Sequence, residues 1–177
     1  MTDSLPRVMV DIETLGLDRH ASIISLGAVR FDAGRLGDTF YREISFDSNR
    51  EHDRSIEQDT WEWWVDEQGV DEEWLRSGDG LAEVLSDFAA WYGNSHEIWA
   101  NSPSFDCEAL EHAFAQVNII EPWEFYEERD YRTLKNLPIA PELKMNGEEH
   151  HALDDAKHQA RVAAETLERL QGVMADA

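Results

Sequence analysis

Cysteine is nearly absent from this chain: Cys107 is the only one in 177 residues. That excludes an intramolecular disulfide, and one cysteine cannot by itself make a thiolate metal site; a lone thiol fits a reducing interior, with the cytoplasm as the default compartment. Long apolar runs are missing as well. No segment reaches the roughly 18 uninterrupted apolar residues of a membrane span, and the opening residues lack the pattern of a secretory leader. Positive charge is also scarce. Fifteen Lys and Arg, with only Lys135, Lys144 and Lys157 as lysines, face 38 Asp and Glu, a net charge of −23. A field of that sign repels polyanions. Cations bound among carboxylates lessen the conflict, and so does a grip on one strand end that needs few phosphate contacts. The same surplus of carboxylates suits a salty cytoplasm or a mimic of nucleic acid.

Apolar residues make up 42% of the chain and are spread along its length, enough for one packed domain over residues 1–177. There is no internal repeat and no low-complexity linker. The valine-rich run Arg7 to Ile12, bounded by Pro6 and a Thr14-Leu15-Gly16 turn, reads as a buried central strand. Ser22 to Phe31 and Thr39 to Ile44 read as two more strands, joined through the Asp32-Ala33-Gly34 turn as an antiparallel hairpin.

Helical patterning begins at Ser55, which can cap a helix containing Thr60 to Glu67 with tryptophans at 61, 63 and 64. A second helix is expected over Leu81 to Tyr92, ended by Gly93, followed by a strand over Ile98 to Asn101. Ser102-Pro103 reads as cap and first-turn proline of a helix to about Val117, with Asp106 in its first turns. Pro122 to Asp130 is ambiguous and ends as a strand, Arg132 to Leu137 reads as a short helix, and Pro138 to Gly147 as a loop. A long helix closes the chain from about His151 to Met174. Strands first, then alternating strands and helices, indicate an α/β fold: a mixed five-stranded sheet, its first three strands antiparallel, flanked by helices.

Three groups of residues carry chemistry. Asp11 and Glu13 lie two apart on a strand, so their side chains share one face. Two carboxylates at a buried strand end repel, and hard oxygen ligands select Mg²⁺ or Mn²⁺. Asp106 follows the strand ending at Asn101, near a helix start. In His150-His151-Ala152-Leu153-Asp154-Asp155, histidine opens a helix that carries a carboxylate about a turn later. Each group alone has a plain explanation: an acidic turn, a carboxylate at a helix dipole, an exposed acidic helix start. Their joint arrangement points to nuclease chemistry.

Asp11-Ile12-Glu13-Thr14-Leu15-Gly16-Leu17 resembles the first exonuclease motif of the DEDDh (DnaQ-like) superfamily, and Phe105-Asp106 resembles the second. His150-x-Ala152-Leu153-x-Asp155-Ala156 resembles the third, in which histidine precedes aspartate by five positions; the Ala-Leu pair selects His150 and Asp155 over His151 and Asp154. Thr60 to Trp64, Trp99-Ala100-Asn101-Ser102 and Arg129-Asp130-x-Arg132-Thr133-Leu134 are similar to the small exoribonuclease subfamily of mycobacteria and bacteriophages.

The resemblance implies an RNase H-like fold, two Mg²⁺ or Mn²⁺ ions, release of nucleoside 5′-monophosphates from the 3′ end of a single strand, RNA favoured over DNA, and often a homodimer. On this resemblance Asp11 is expected to bridge the two ions, with Glu13 and Asp155 completing one site and Asp106 supporting the other through water. His150 is expected to be the general base. The 3′-terminal nucleotide is expected against Thr14, Leu15 and Leu17, with Phe105 nearby.

Trp61, Trp63 and Trp64 are candidates to stack on bases, core packing being preferred for Trp64. Arg129 and Arg132 read equally as phosphate contacts or as salt-bridge partners of Asp130 or another carboxylate. The rival readings are an endonuclease or resolvase on the same fold, a catalytically inactive nucleic-acid-binding or DNA-mimic module, and a polymerase proofreading subunit.

Overall fold

The computed structural model describes residues 5–175. Its strands are β1 (Arg7–Thr14), β2 (Ile23–Asp32), β3 (Arg35–Glu43), β4 (Glu97–Ala100) and β5 (Glu128–Asp130). Its helices are α1 (Phe46–Glu51), α2 (Gln58–Glu62), α3 (Glu72–Ser77), α4 (Leu81–Tyr92), α5 (Asp106–Gln116), α6 (Tyr131–Lys135) and α7 (Ala152–Ala175). The sheet order is β3-β2-β1-β4-β5. β1, β2 and β3 pair antiparallel, while β1 with β4 and β4 with β5 run parallel. This is the mixed five-stranded sheet that the pattern of elements predicts.

β1 alternates between two cores, as strand geometry requires. Val8, Val10 and Ile12 pack with Leu81, Val84, Leu85 and Phe88 of α4 and with Leu110 and Phe114 of α5. Met9 faces the other way, with Val29, Phe31 and Trp99, against Ala156, Ala160, Ala163 and Ala164 of α7. Asp11 and Glu13 continue the Met9 series and therefore turn toward α7. The run of alanines lets α7 lie close to the sheet. Gly27, the partner of Asp11 in the β1–β2 ladder, allows the closest approach: a Cβ there would collide with the backbone of Ala152 and Leu153.

Boundaries differ from expectation at several places: β3 already starts at Arg35, which pairs with Asp32 across the turn, rather than at Thr39, and α6 ends at Lys135 rather than Leu137. Ser55 does not cap a helix: its N–H donates to the His20 carbonyl and its own carbonyl accepts from Ser22 N–H, which keeps the segment extended, and α2 starts only after Glu57. Ser102 and Pro103 form a turn ahead of α5, with the Ser102 carbonyl accepting from the N–H groups of Phe105 and Asp106. The expected helix through Thr60 to Glu67 divides into α2 and a π-helical turn over Trp63–Glu67. Short α1 and α3, of six residues each, carry too few apolar positions for a periodic signal. Buried Asn49 anchors α1 by donating to the Ile23 carbonyl and accepting from Ile23 N–H.

Candidate active site

The sheet opens at the C-terminal end of β1. Pairing with β4 stops at Met9–Trp99, so the last residues of β1 separate from the β4–α5 connection and leave a crevice. Ligands of α/β sheets are found in such crevices at the carboxyl ends of strands. Asp11 and Glu13 enter it from β1, Asp106 from the first residue of α5, and Asp155 from the first turn of α7.

Asp11, Glu13 and Asp155 each offer a carboxylate oxygen, and these atoms lie within 4.8 Å of one another. Asp106 is buried and stands outside that trio, yet its charge helps raise the pKa of both Asp11 and Glu13. Burial and then the neighbouring Asp106, Glu13 and Asp155 charges push Asp11 well above the usual carboxylate range, against a hydrogen bond from Gln159. Burial, Asp155 and Asp106 push Glu13 up to about 8. Burial lifts Asp106 to about 7 despite backbone N–H donors, among them Ser102. Asp155 is raised by burial and held down by the His150 backbone N–H, which donates to it at 3.0 Å. Four crowded carboxylates that resist ionisation together are satisfied by divalent cations, so the donor set fits Mg²⁺ or Mn²⁺.

Gln159, one helical turn beyond Asp155 on α7, was not singled out by the sequence. Its Nε2 donates to Asp11 Oδ1 at 2.8 Å, and its side chain is 8% exposed. Position i+4 from a metal-binding candidate on a helix shares that residue's face, which is the signal that finds it.

His150 stands just before α7 with φ of +62°. Its ring meets Trp63 edge-on at 4.8 Å and Trp64 at 6.4 Å. The ring of His151 stacks instead on Tyr41 at 4.5 Å. Of the two, His150 lines a cavity of about 470 Å³ whose wall also includes Glu13, Thr14, Leu17, Trp63 and Phe105. The π turn adds a residue to the helical repeat and brings both Trp63 and Trp64 toward His150, in keeping with the frequent use of such bulges at functional sites.

Leu15 does not join Thr14, Leu17 and Phe105 on this wall. It is fully buried with Ile24, Phe46, Trp64 and Leu75. Its backbone is committed too, its N–H donating to Ser22 and its carbonyl accepting from Glu57. β1 ends at Thr14, so strand alternation no longer governs the residues after it: Leu15 turns into the core while Leu17 is left 77% exposed. Trp64 is a core residue, 5% exposed, donating from Nε1 to the Thr14 carbonyl at 3.0 Å. Arg129 pairs with Glu97 and donates to two backbone carbonyls. Arg132 lies close enough to Asp106 to lower its pKa.

The profile of the 3′-5′ exoribonuclease Rv2179c-like domain matches residues 6–167. Among characterised proteins, the chain is 30% identical over 142 residues to the PolC-type DNA polymerase III of Oceanobacillus iheyensis; the match covers 77% of this chain but spans only 9% of that polymerase. Three solved structures share the fold. The nuclease domain of 3′hExo, a DEDDh family member bound to rAMP, superposes with a TM-score of 0.65 at 15% identity, covering 92% of each chain. Pop2p of S. pombe, in its Mg²⁺- and Mn²⁺-bound form, gives 0.64 at 16% identity over 93% of this chain and 84% of that one. Exonuclease X in complex with 5′-overhanging duplex DNA gives 0.58 at 17% identity over 96% and 93%. Distant structural likeness, to a DEDDh family member among others, establishes the RNase H-like architecture, and a profile match along nearly the whole length establishes kinship: the chain belongs to the family of Rv2179c-like 3′–5′ exoribonuclease domains.

Proposed function

We propose that the chain, as a single exonuclease domain, removes nucleotides from the 3′ end of single-stranded nucleic acid, RNA in preference to DNA, and releases nucleoside 5′-monophosphates. One observation carries this reading: the carboxylate trio borders a cavity of about 470 Å³ through Glu13, with His150 on the same wall. The preference for RNA is supported by the family's description as exoribonucleases. A homodimer, often found in the family the chain resembles, would be checked by sedimentation, and the cytoplasm as default compartment by cell fractionation.

Asp11, Glu13, Asp106 and Asp155 would hold two Mg²⁺ or Mn²⁺ ions. When bound, such ions activate water and stabilise the attacking and leaving oxygens of phosphodiester hydrolysis. Gln159 keeps Asp11 aimed into the crevice through its hydrogen bond. His150 accepts the proton of the attacking water at a ring nitrogen, a task suited to imidazole at neutral pH. Thr14, Leu17 and Phe105 hold the terminal nucleoside, and Trp63 gives its base an aromatic face.

A timed digest of 5′-labelled single-stranded RNA and DNA in Mg²⁺, Mn²⁺ or EDTA, alongside Asp11→Asn, tests the proposal. A metal-dependent ladder shortening from the 3′ end, faster on RNA and lost in the variant, is expected. No cleavage under any condition would return the binding-module or DNA-mimic reading.

A further inference from the structure

Positive charge is so scarce here that the placement of each cation is informative. Arg7, Arg19, Arg42, Arg76, Arg129, Lys157 and Arg169 are neutralised by carboxylates. Arg54 is buried and spent on backbone carbonyls and Gln116. Arg30 binds the Trp91 and Tyr92 carbonyls, and Arg50 lies over the Phe46 ring. Arg35, Arg132, Lys135, Lys144 and Arg161 are left without an ion pair among the described residues, Lys135 lying over the Tyr131 ring; Arg132 and Lys135 share α6, and Arg35 and Arg161 line one cavity.

The α6–α7 flank starts at the metal-binding candidates. α6 packs Tyr131 and Leu134 against Ala156 and Ala160 of α7, in the turns that follow Asp155, and Arg132 and Lys135, three residues apart on α6, share one helical face. His158, one turn beyond Asp155 on α7, feels both Lys135 and Arg161. Arg161 then lines a second cavity, of about 340 Å³, together with Arg35, Leu36, Leu143 and Arg169. Lys144 adjoins Leu143 in sequence. Two carboxylates border this cavity, Glu165 and Glu168, and Glu165 is occupied by Arg169. The Nη1 of Arg161 has no hydrogen-bond partner among the described residues, so this guanidinium is not spent on an internal acceptor at that nitrogen.

We propose that the sugar-phosphate backbone upstream of the scissile bond leaves the active site along the α6–α7 flank, held by Arg132, Lys135, Arg161 and Arg35. The inference deepens the exonuclease reading and rests on it. It also resolves the conflict between an acidic protein and a polyanionic substrate, since a narrow line of unpaired cations focuses attraction where the global field repels. From Asp155 to Ala164, whose carbonyl accepts from the N–H of Gly34 beside Arg35, the helix rises about 13.5 Å, room for about four nucleotides at a spacing of about 3.4 Å.

The test is fluorescence anisotropy of 5′-labelled RNA oligomers of two to twelve nucleotides, in Ca²⁺, across a salt series. Wild-type protein is compared with the triple variant Arg35→Gln/Lys135→Gln/Arg161→Gln and with Arg35→Lys/Arg161→Lys. Affinity of wild type should rise with length up to about four nucleotides and then level off. The triple variant should bind an octamer about tenfold more weakly, with a salt slope shallower by about 0.7 per cation removed. The lysine variant should bind like wild type, which separates charge from folding. Equal affinity and equal slope in wild type and a folded triple variant would overturn the track. Cleavage in Mg²⁺ is scored separately. Cleavage with unaltered binding in the variant sinks the track alone, whereas charge-dependent binding without cleavage by wild type supports the track and sinks the exonuclease reading.

Discussion

Gly27 stands opposite Asp11 in the β1–β2 ladder, and the only space beside its Cα is taken by the backbone of Ala152 and Leu153 at the start of α7. The same glycine thus lets the helix that carries Asp155 approach the strand that carries Asp11. Gly27→Ala should lift the N-terminus of α7, with a stability cost of about 1–3 kcal/mol typical of overpacking. Nuclease activity should fall further than the loss of folded protein explains, because Asp155 moves with the helix. Thermal melts paired with single-turnover cleavage check this; unchanged activity would mean the helix start yields without moving the carboxylate.

Gln159→Ala removes the hydrogen bond that orients Asp11. Loss of such a supporting partner typically costs about 10–100-fold in metal affinity or activity. Calorimetric titration with Mn²⁺ should show the weakened binding, while melting in EDTA changes little beyond the loss of one buried side chain.

Protonation of the site links stability to pH. Glu13 titrates at about 8 and Asp106 at about 7 in the folded chain, against roughly 4 for carboxylates in an unfolded one. Between those limits the folded state binds more protons, so metal-free stability is fully present below about pH 4 and declines as pH rises through the folded values. Melting temperatures in EDTA should therefore fall from pH 5 to pH 8. Saturating Mg²⁺ should oppose the fall, since cations favour the ionised carboxylates, and Glu13→Gln should flatten the EDTA profile.

His150→Ala should lower kcat by about 10²- to 10⁴-fold, the usual contribution of a general base. His151→Ala, whose ring packs on Tyr41, should keep activity within a few-fold. Steady-state kinetics on an RNA oligomer decide between the two; the reverse order would move the base to His151.

Leu15 and Leu17 separate stability from binding. Leu15→Ala empties a site in the core and should cost about 2–5 kcal/mol, read as a lower denaturant midpoint. Leu17→Ala leaves the melt unchanged and raises KM, because this exposed side chain lines the nucleotide cavity.

Local periodicity determined much of this protein from its sequence alone. Two-residue spacing places Asp11 and Glu13 on one strand face, and element order yields a mixed sheet with three antiparallel strands; the preference for His150 over His151 comes instead from the resemblance of the Ala152-Leu153 segment to the third exonuclease motif. Tertiary structure decided what depends on distant contacts. Gln159 reaches Asp11 across 148 positions, Gly27 is required by a helix that begins at Ala152, and packing against Ile24, Phe46, Trp64 and Leu75 holds Leu15 inside while Leu17 stays out. The π turn that turns Trp63 toward His150, and the pairing that leaves a few cations free, are equally non-local. Strand and helix repeats report which face a residue takes, but only the packed chain determines which faces meet.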